Sequence, residues 1–342
     1  MPRPGPFPTQ GERYEIDLYI PPDVVVNTDG SIAKADWGKV YKFNGRDDQF
    51  LLSFTGMGMP KVRYIKQRGP EQHGETYLDF RLQPRIIQYV HRRGPGCDRD
   101  EYWDNRADTI NRLRMNRQPS GQFNMGRLRK IRPDGTMRDI YALIEQGPTF
   151  AARRLNRWDE WAFTETLRFI CPDPTWFDPE RQSEVWAVVA YSNLIFETTP
   201  PLPSEYSDHW TLPFAFSGSL VVGTTTIAYS GTWFASPIIT LTGPMSGPQV
   251  ENLSTGERLK LDYMISNGET VVIDLTYGVK TVTSSTGANL IGTLTEGSDL
   301  GFHLAPEPEV EGGQNEIEVT ATEGAVGTSQ IDLSWYTRYI GI

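Results

Sequence analysis

The sequence predicts a mainly β protein in two modules, an N-terminal β domain carrying one helix and a C-terminal antiparallel β-sandwich. Three observations predict it. Apolar and polar residues alternate over short runs along most of the chain, the period of strands with one buried face. The composition, with 32 glycines, 25 prolines, 15 tyrosines and 9 tryptophans in 342 residues, suits short strands joined by many turns. Charge then divides the chain: residues 1–170 hold 28 Lys and Arg against 22 Asp and Glu, whereas residues 171–342 hold 5 against 21. The halves are therefore electrostatically different, and they read as modules that face different neighbours. We place the N-terminal domain at residues 1–178 and the C-terminal one at 179–342.

In the first module the alternation marks strands at 14–20, 40–43, 62–66, 76–82 and 86–90. The loop from Arg68 to Gly74 has Gly-Pro near its start and Gly at its end, so it reads as a hairpin connection. One stretch breaks the period. Trp103, Ala107, Ile110 and Leu113 recur at spacings of four and three, which predicts a helix over about 99–115 packed on a sheet by that face. Asp98 or Asp100 suits its N-cap, Arg112, Arg114 and Arg117 suit its C-terminal dipole, and Pro119 stops it. Two strands follow around a Pro-Asp-Gly turn at 133–135, and another runs up to Pro172 and Pro174.

The second module is strand and turn throughout from Leu212, after a proline-rich connector at 200–206. Its turns are Ser254 to Glu257, Asn267-Gly268 and Gly312-Gly313; Asn-Gly between alternating runs is a strong hairpin signal. Strands every 8 to 12 residues with turn residues between them argue for the sandwich.

Chemistry is sparsely marked. The histidines, 73, 91, 209 and 303, show no spacing that puts two imidazoles on one helix face, so no metal is expected. Asp98, Asp100 and Asp104 lack the glycine of a calcium loop and read as helix capping. No nucleophile elbow, P-loop or dinucleotide fingerprint is present, and no cofactor or enzymatic activity is expected. Cys97 and Cys171 are too far apart in sequence for a zinc knuckle or a redox pair, and free thiols are expected. The basic stretch from Arg112 to Arg138 suits nucleic acid or an acidic protein neighbour, and the neighbour is favoured. Trp210, Trp233 and Tyr229 suit a sugar-stacking platform or the core of the sandwich. An apolar fraction of 38% with no run long enough to span a bilayer predicts a folded protein that does not insert in membranes.

Several short segments in order resemble one family. Gly56-Met57-Gly58-Met59-Pro60, Gln67, Pro70 to Gly74, Asp79 to Leu82 and the helix with its downstream Pro-Asp-Gly turn are similar to the N-terminal domain of siphophage distal tail proteins. Cys171 to Trp176 is similar to that domain's closing strand. Leu212 to Phe214, Gly231-Thr232, Pro237 to Pro244, Ile273-Asp274 and Ser334 to Gly341 resemble the family's C-terminal sandwich. The resemblance implies a β-sandwich or split-barrel-like N-terminal domain and a galectin-like C-terminal one. It also implies a virion protein at the distal end of the tail, made in the host cytoplasm and assembled as a homohexameric ring. Its implied partners are the tail tube, the hub or tip protein, the tape measure protein and, on the outer domains, side fibres or receptor-binding proteins. DNA would cross the channel without being read. Arg68, Gln72, His73 and Gly74 are then expected at the ring or neighbour interface. A second reading makes the C-terminal sandwich a binder of host cell-wall glycan, with Trp210 and Trp233 as contacts.

Overall fold

The computed structural model describes residues 15–20, 41–42, 49–97, 99–113, 125–132, 134–149, 151–154, 161–187, 221–322, 324–325 and 328–342. Within them the protein is mainly β, with one α-helix. Contacts divide the chain into a first unit, Met1–Arg181 with Gly231–Trp233 and Tyr336–Ile342, and a second, Gln182–Ser230 with Phe234–Trp335.

The first unit is built on the long strand Arg85–Cys97, antiparallel to Trp161–Cys171 on one side and to Gln49–Thr55 on the other. Sequence alternation places Ile87 and Tyr89 on one face of that strand, opposite Phe169 and Leu167, and all four are fully buried. Trp161–Cys171 also pairs with Met137–Gln146 and Ala151–Arg154. Met137–Gln146 pairs with Gly126–Ile131, which pairs with Glu15–Ile20. The predicted turn between 131 and 137 forms because Asp134 Oδ1 accepts from the Thr136 backbone N–H at 2.9 Å and its hydroxyl at 2.7 Å, while Gly135 takes φ +84°. Leu128, Ile140, Ala142 and Trp176 join the core, each large side chain contributing about 1.5–3 kcal/mol of burial. Trp176 begins the strand Trp176–Ala187, which the sequence reading missed because Pro179 and the charged run after it hide the period.

The described part of the basic stretch, Arg127 to Arg138, is largely internal, and Arg114, Arg117 and the side chain of Arg112 lie outside the described residues. Arg129 and Asp139 are both buried and joined by a fork of two 2.7 Å bonds, with Arg127 Nε 3.4 Å from the same carboxylate. Arg138 lies over the Tyr339 ring at 4.0 Å and reaches Asp178 at 3.0 Å. Residues that read as a charged outer face thus hold strands together.

The last seven residues are tied into this unit through Arg85. Its buried guanidinium donates to the carbonyls of Pro174 (2.7 Å), Gly56 (2.7 Å), Ile340 (2.6 Å) and Gly58. Burial lowers its pKa to about 10, still well above neutrality. Arg338 pairs with Asp173 and Thr175, and the Ile342 N–H donates to Met57 O at 3.1 Å. Gly56 is required in this cluster: it has φ +94°, and a Cβ there would lie 2.1 Å from Ile86 O.

The helix runs Arg99–Leu113, and Asp98 and residues 114–124, with Arg114, Arg117 and Pro119, lie outside the described residues. Leu113 packs in the core and Thr109 is buried beside it, one turn earlier. The expected Trp-Ile-Leu contact with the sheet is not what forms: Trp103 is 51% exposed, Ile110 46%, and Ala107 is exposed between them. Only Leu113 is shared by the stripe that the spacing selects and the face that is buried.

In the second unit, Ile238–Thr242 lies between Thr270–Asp274 and Gln330–Tyr339, with Thr281–Ser284 beyond Thr270–Asp274. A second sheet runs Val221–Ala228, Gln314–Thr322, Met245–Asn252, Glu257–Lys260, and Met264–Ile265 also pairs with Met245–Asn252. Alternate residues of both sheets, including Ile239, Leu241, Val271, Ile331, Ile317 and Val319, meet in one core. Buried Asn315 is fully engaged: its carbonyl accepts from Ala305 N and Asn252 Nδ2, and its amide donates to Ala305 O and Gly313 O. The turn with Gly256 at φ +75° joins paired strands as predicted. Asn267-Gly268 does not: Gly268 has φ +79°, but the strands on either side belong to different sheets, so the turn carries the chain across the core.

Candidate functional site

The hairpin Val62–Gln67 and Thr76–Leu82 forms a two-stranded sheet of its own within the first unit. Its boundaries match the predicted strands, yet the alternation does not bury one face. Tyr64, Tyr77, Leu78 and Phe80 are 55%, 63%, 60% and 47% exposed. A lone two-stranded sheet has no core of its own to offer.

The loop at its tip is organised by Gln72. The Gln72 N–H donates to Gly69 O at 3.2 Å, and its side-chain carbonyl accepts from the Gly69 N–H at 2.9 Å. Its amide donates to the Thr76 hydroxyl at 2.8 Å, and Arg68 Nε donates to Gln72 O at 3.2 Å. Glu71 and Gly74 take φ +63° and +89°, which turns the chain, and Lys66 pairs with Glu75 across the strands. His73 is exposed on this frame. The structure therefore brings Arg68, Gln72, His73 and Gly74 into one tip, with Gln72 and Arg68 bonded inside the loop.

Below the tip, Arg63, Tyr64, Ile65, Lys66, Tyr77 and Arg81 line an open hollow of about 790 Å³. Arg63 lies directly opposite Arg81 in the ladder, and Tyr64 and Tyr77 meet edge to face at 5.4 Å. Two like charges facing each other across a sheet weaken it. Among the described residues no carboxylate forms an ion pair with either arginine. The hollow combines aromatic walls with concentrated positive charge, and sequence spacing gave no sign that Arg63 and Arg81 face each other.

The aromatic pair considered for glycan is only half visible, because Trp210 lies outside the described residues. Trp233 is half-buried and edge-on to Phe80 at 6.2 Å, and Tyr229 is buried in the second unit's core. Cys171 is free and buried, with its thiol pushed up to about 12 chiefly by burial; the side chain of Cys97 lies outside the described residues. Among the described residues no three His, Cys, Asp or Glu side chains gather as a metal site requires, and no helix is long and apolar enough to cross a membrane.

Of the two histidines whose side chains are described, His73 and His303, the second sits in a charged setting. Burial alone would lower its pKa, but the 2.9 Å contact of Nδ1 with Glu257, the Gly301 carbonyl at 3.0 Å and the charge of Glu309 outweigh that and raise it above 6.5. The Phe234 ring closes the other side at 5.2 Å. A raised folded-state pKa contributes stability that is whole below the unfolded value and is lost as pH rises through the folded value. The second unit is therefore expected to lose thermal stability as pH rises past 6.5 and through the raised value, a slope that Glu257→Gln flattens in a melting series.

Comparison with known proteins matches residues 230–339 to the model of the siphovirus-type tail component, C-terminal domain. Over most of its length, the chain also has the fold of a solved tail protein, the Dit protein (gp 19.1) of phage SPP1, described as a paradigm of the hub adsorption apparatus in phages that infect Gram-positive bacteria. That likeness has a TM-score of 0.52 at 12% identity and covers 94% of this chain and 98% of the other. A chain of the phage P2 baseplate in its calcium-activated conformation is similar at a TM-score of 0.45 and 11% identity, over 94% and 98%. No curated protein matches the chain. The resemblance to distal tail proteins, read from short motifs in order, thus meets a tail-component domain at the C-terminal end and a Dit fold along the chain.

Proposed function

We propose that this protein is the distal tail protein of a siphovirus-type phage, a structural and non-enzymatic component at the far end of the tail. In this reading, copies form a hexameric ring that joins the tail tube to the hub or tip protein. The first unit surrounds a channel for the tape measure and then DNA, which passes without sequence-specific contact. The second unit faces outward and offers an attachment platform for fibres or receptor-binding proteins. What supports this most is the coincidence, on one chain, of a tail-component domain at 230–339 with a Dit fold that extends to nearly all of the remainder.

The charge division fits the same arrangement. A second half with 5 basic against 21 acidic residues, set outside the ring, would repel loose copies and DNA, and the more basic first half would meet the tube and hub. The exposed loop tip with His73 has an assembly role here, so His73→Ala is expected to alter contacts and no turnover. Gold-labelled antibody against the chain should decorate purified virions at the tail end away from the capsid. Label confined to capsids, or absent from intact virions, would overturn the reading.

A further inference from the structure

The first unit exposes two different apolar faces, and each carries charge of opposite sign. One is the hairpin hollow, where Tyr64, Ile65 and Tyr77 stand among Arg63, Lys66 and Arg81. Lys66 is held by Glu75, which leaves the opposed Arg63 and Arg81 as a like-charge pair whose mutual repulsion an incoming carboxylate would relieve. The other is the outward face of the helix. Asp100, Trp103, Asp104 and Ala107 lie at spacings of three and four, so they share one face, and all four are exposed. Arg106 stacks on the Trp103 ring at 5.1 Å and props it outward. A tryptophan between two carboxylates is the shape and charge that the hollow lacks.

These faces cannot serve each other within one chain by simple proximity. The hairpin ends where Arg85–Cys97 begins and the helix starts where that strand ends, and 13 extended residues span about 40 Å. Two complementary faces held far apart on one subunit are what a head-to-tail, ring-closing contact requires. We propose that the Trp103 face of one copy seats in the Arg63–Arg81 hollow of the next copy, with Asp100 and Asp104 paired to the two arginines. The inference rests on the ring reading above and adds which surfaces meet.

The test uses the full-length protein. A chain carrying both Arg63→Cys and Asp104→Cys, oxidised at the concentration where wild type assembles, is expected to give a ladder of covalent multimers at least tenfold above either single variant. The double variant Asp100→Arg/Asp104→Arg is expected to lose assembly in light scattering, and adding Arg63→Glu/Arg81→Glu is expected to restore it. Circular dichroism and melting of each variant check that the chain is folded. Six-copy particles that form without the cross-link, or that ignore the charge reversal, would overturn this contact and leave the ring reading standing. A single-copy mass at every concentration, with no cross-link, would remove both.

Discussion

Replacing Arg85 by alanine is expected to destabilise the first unit by about 3 kcal/mol, because it takes the donor from the buried carbonyl of Pro174 and from the part-buried ones of Gly56, Gly58 and Ile340 at once. The guanidinium holds Gly56, Gly58 and Pro174 together with Ile340 of the chain's last residues, and among the described residues no other side chain donates to these carbonyls. Each buried carbonyl left without a donor costs about 1–3 kcal/mol. Lysine is expected to recover little, since a single ammonium lacks the planar fork that spans these acceptors. Deleting Tyr336–Ile342 should act in the same direction by removing the Arg338 pair with Asp173 and the Ile342 bond to Met57. Urea unfolding followed by tryptophan fluorescence measures all three. A midpoint for Arg85→Ala indistinguishable from wild type would mean that water satisfies the cluster and that the terminal segment is held by packing alone.

Asp139→Ala is the second large effect, an expected loss of about 3–5 kcal/mol. Asp139 is fully buried, takes both arms of the buried Arg129 fork and sits near Arg127, so its removal takes away the carboxylate that faces both guanidinium groups. The cost comes from the orphaned partner more than from the pair itself. The double variant Arg129→Met/Asp139→Leu should therefore recover most of the loss, by the usual behaviour of buried pairs replaced with apolar side chains. If the double variant is as unstable as Asp139→Ala, the carboxylate matters for strand geometry and the charge argument fails.

These two clusters were illegible in the sequence for the same reason. Arg129 and Asp139 are ten residues apart on facing strands, and Arg85 meets Ile340 from 255 residues away. Local spacing reports which residues share a face, so Arg127, Arg129, Lys130 and Arg138 looked like one charged surface. Pairing across the ladder decides which of them go inside. The turn at Asp134-Gly135 was legible because its hydrogen bonds close within three residues.

The hairpin and the helix carry the more general lesson. Tyr64, Leu78 and Phe80, like Trp103 and Ile110, follow the apolar periods that mark strands and helices. The period was read correctly as structure and wrongly as a statement of burial. An apolar stripe records a surface to be covered, and it does not say whether the cover comes from the same chain. Asn267-Gly268 shows the limit from the other side, since its tight turn is present while the strands it joins pair elsewhere. The loop residues Arg68 to Gly74 were singled out as a tip, but the bonds that make Gln72 its organiser depend on Gly69 and Thr76 being turned toward it.

The ring is the centre of this account, and the most direct measurement is the mass of the purified full-length protein by light scattering over a wide concentration range, with negative-stain images of the same samples. Hollow particles with a mass near six chains are expected as concentration rises. A mass of one chain throughout, with no hollow particles in any field, would contradict it.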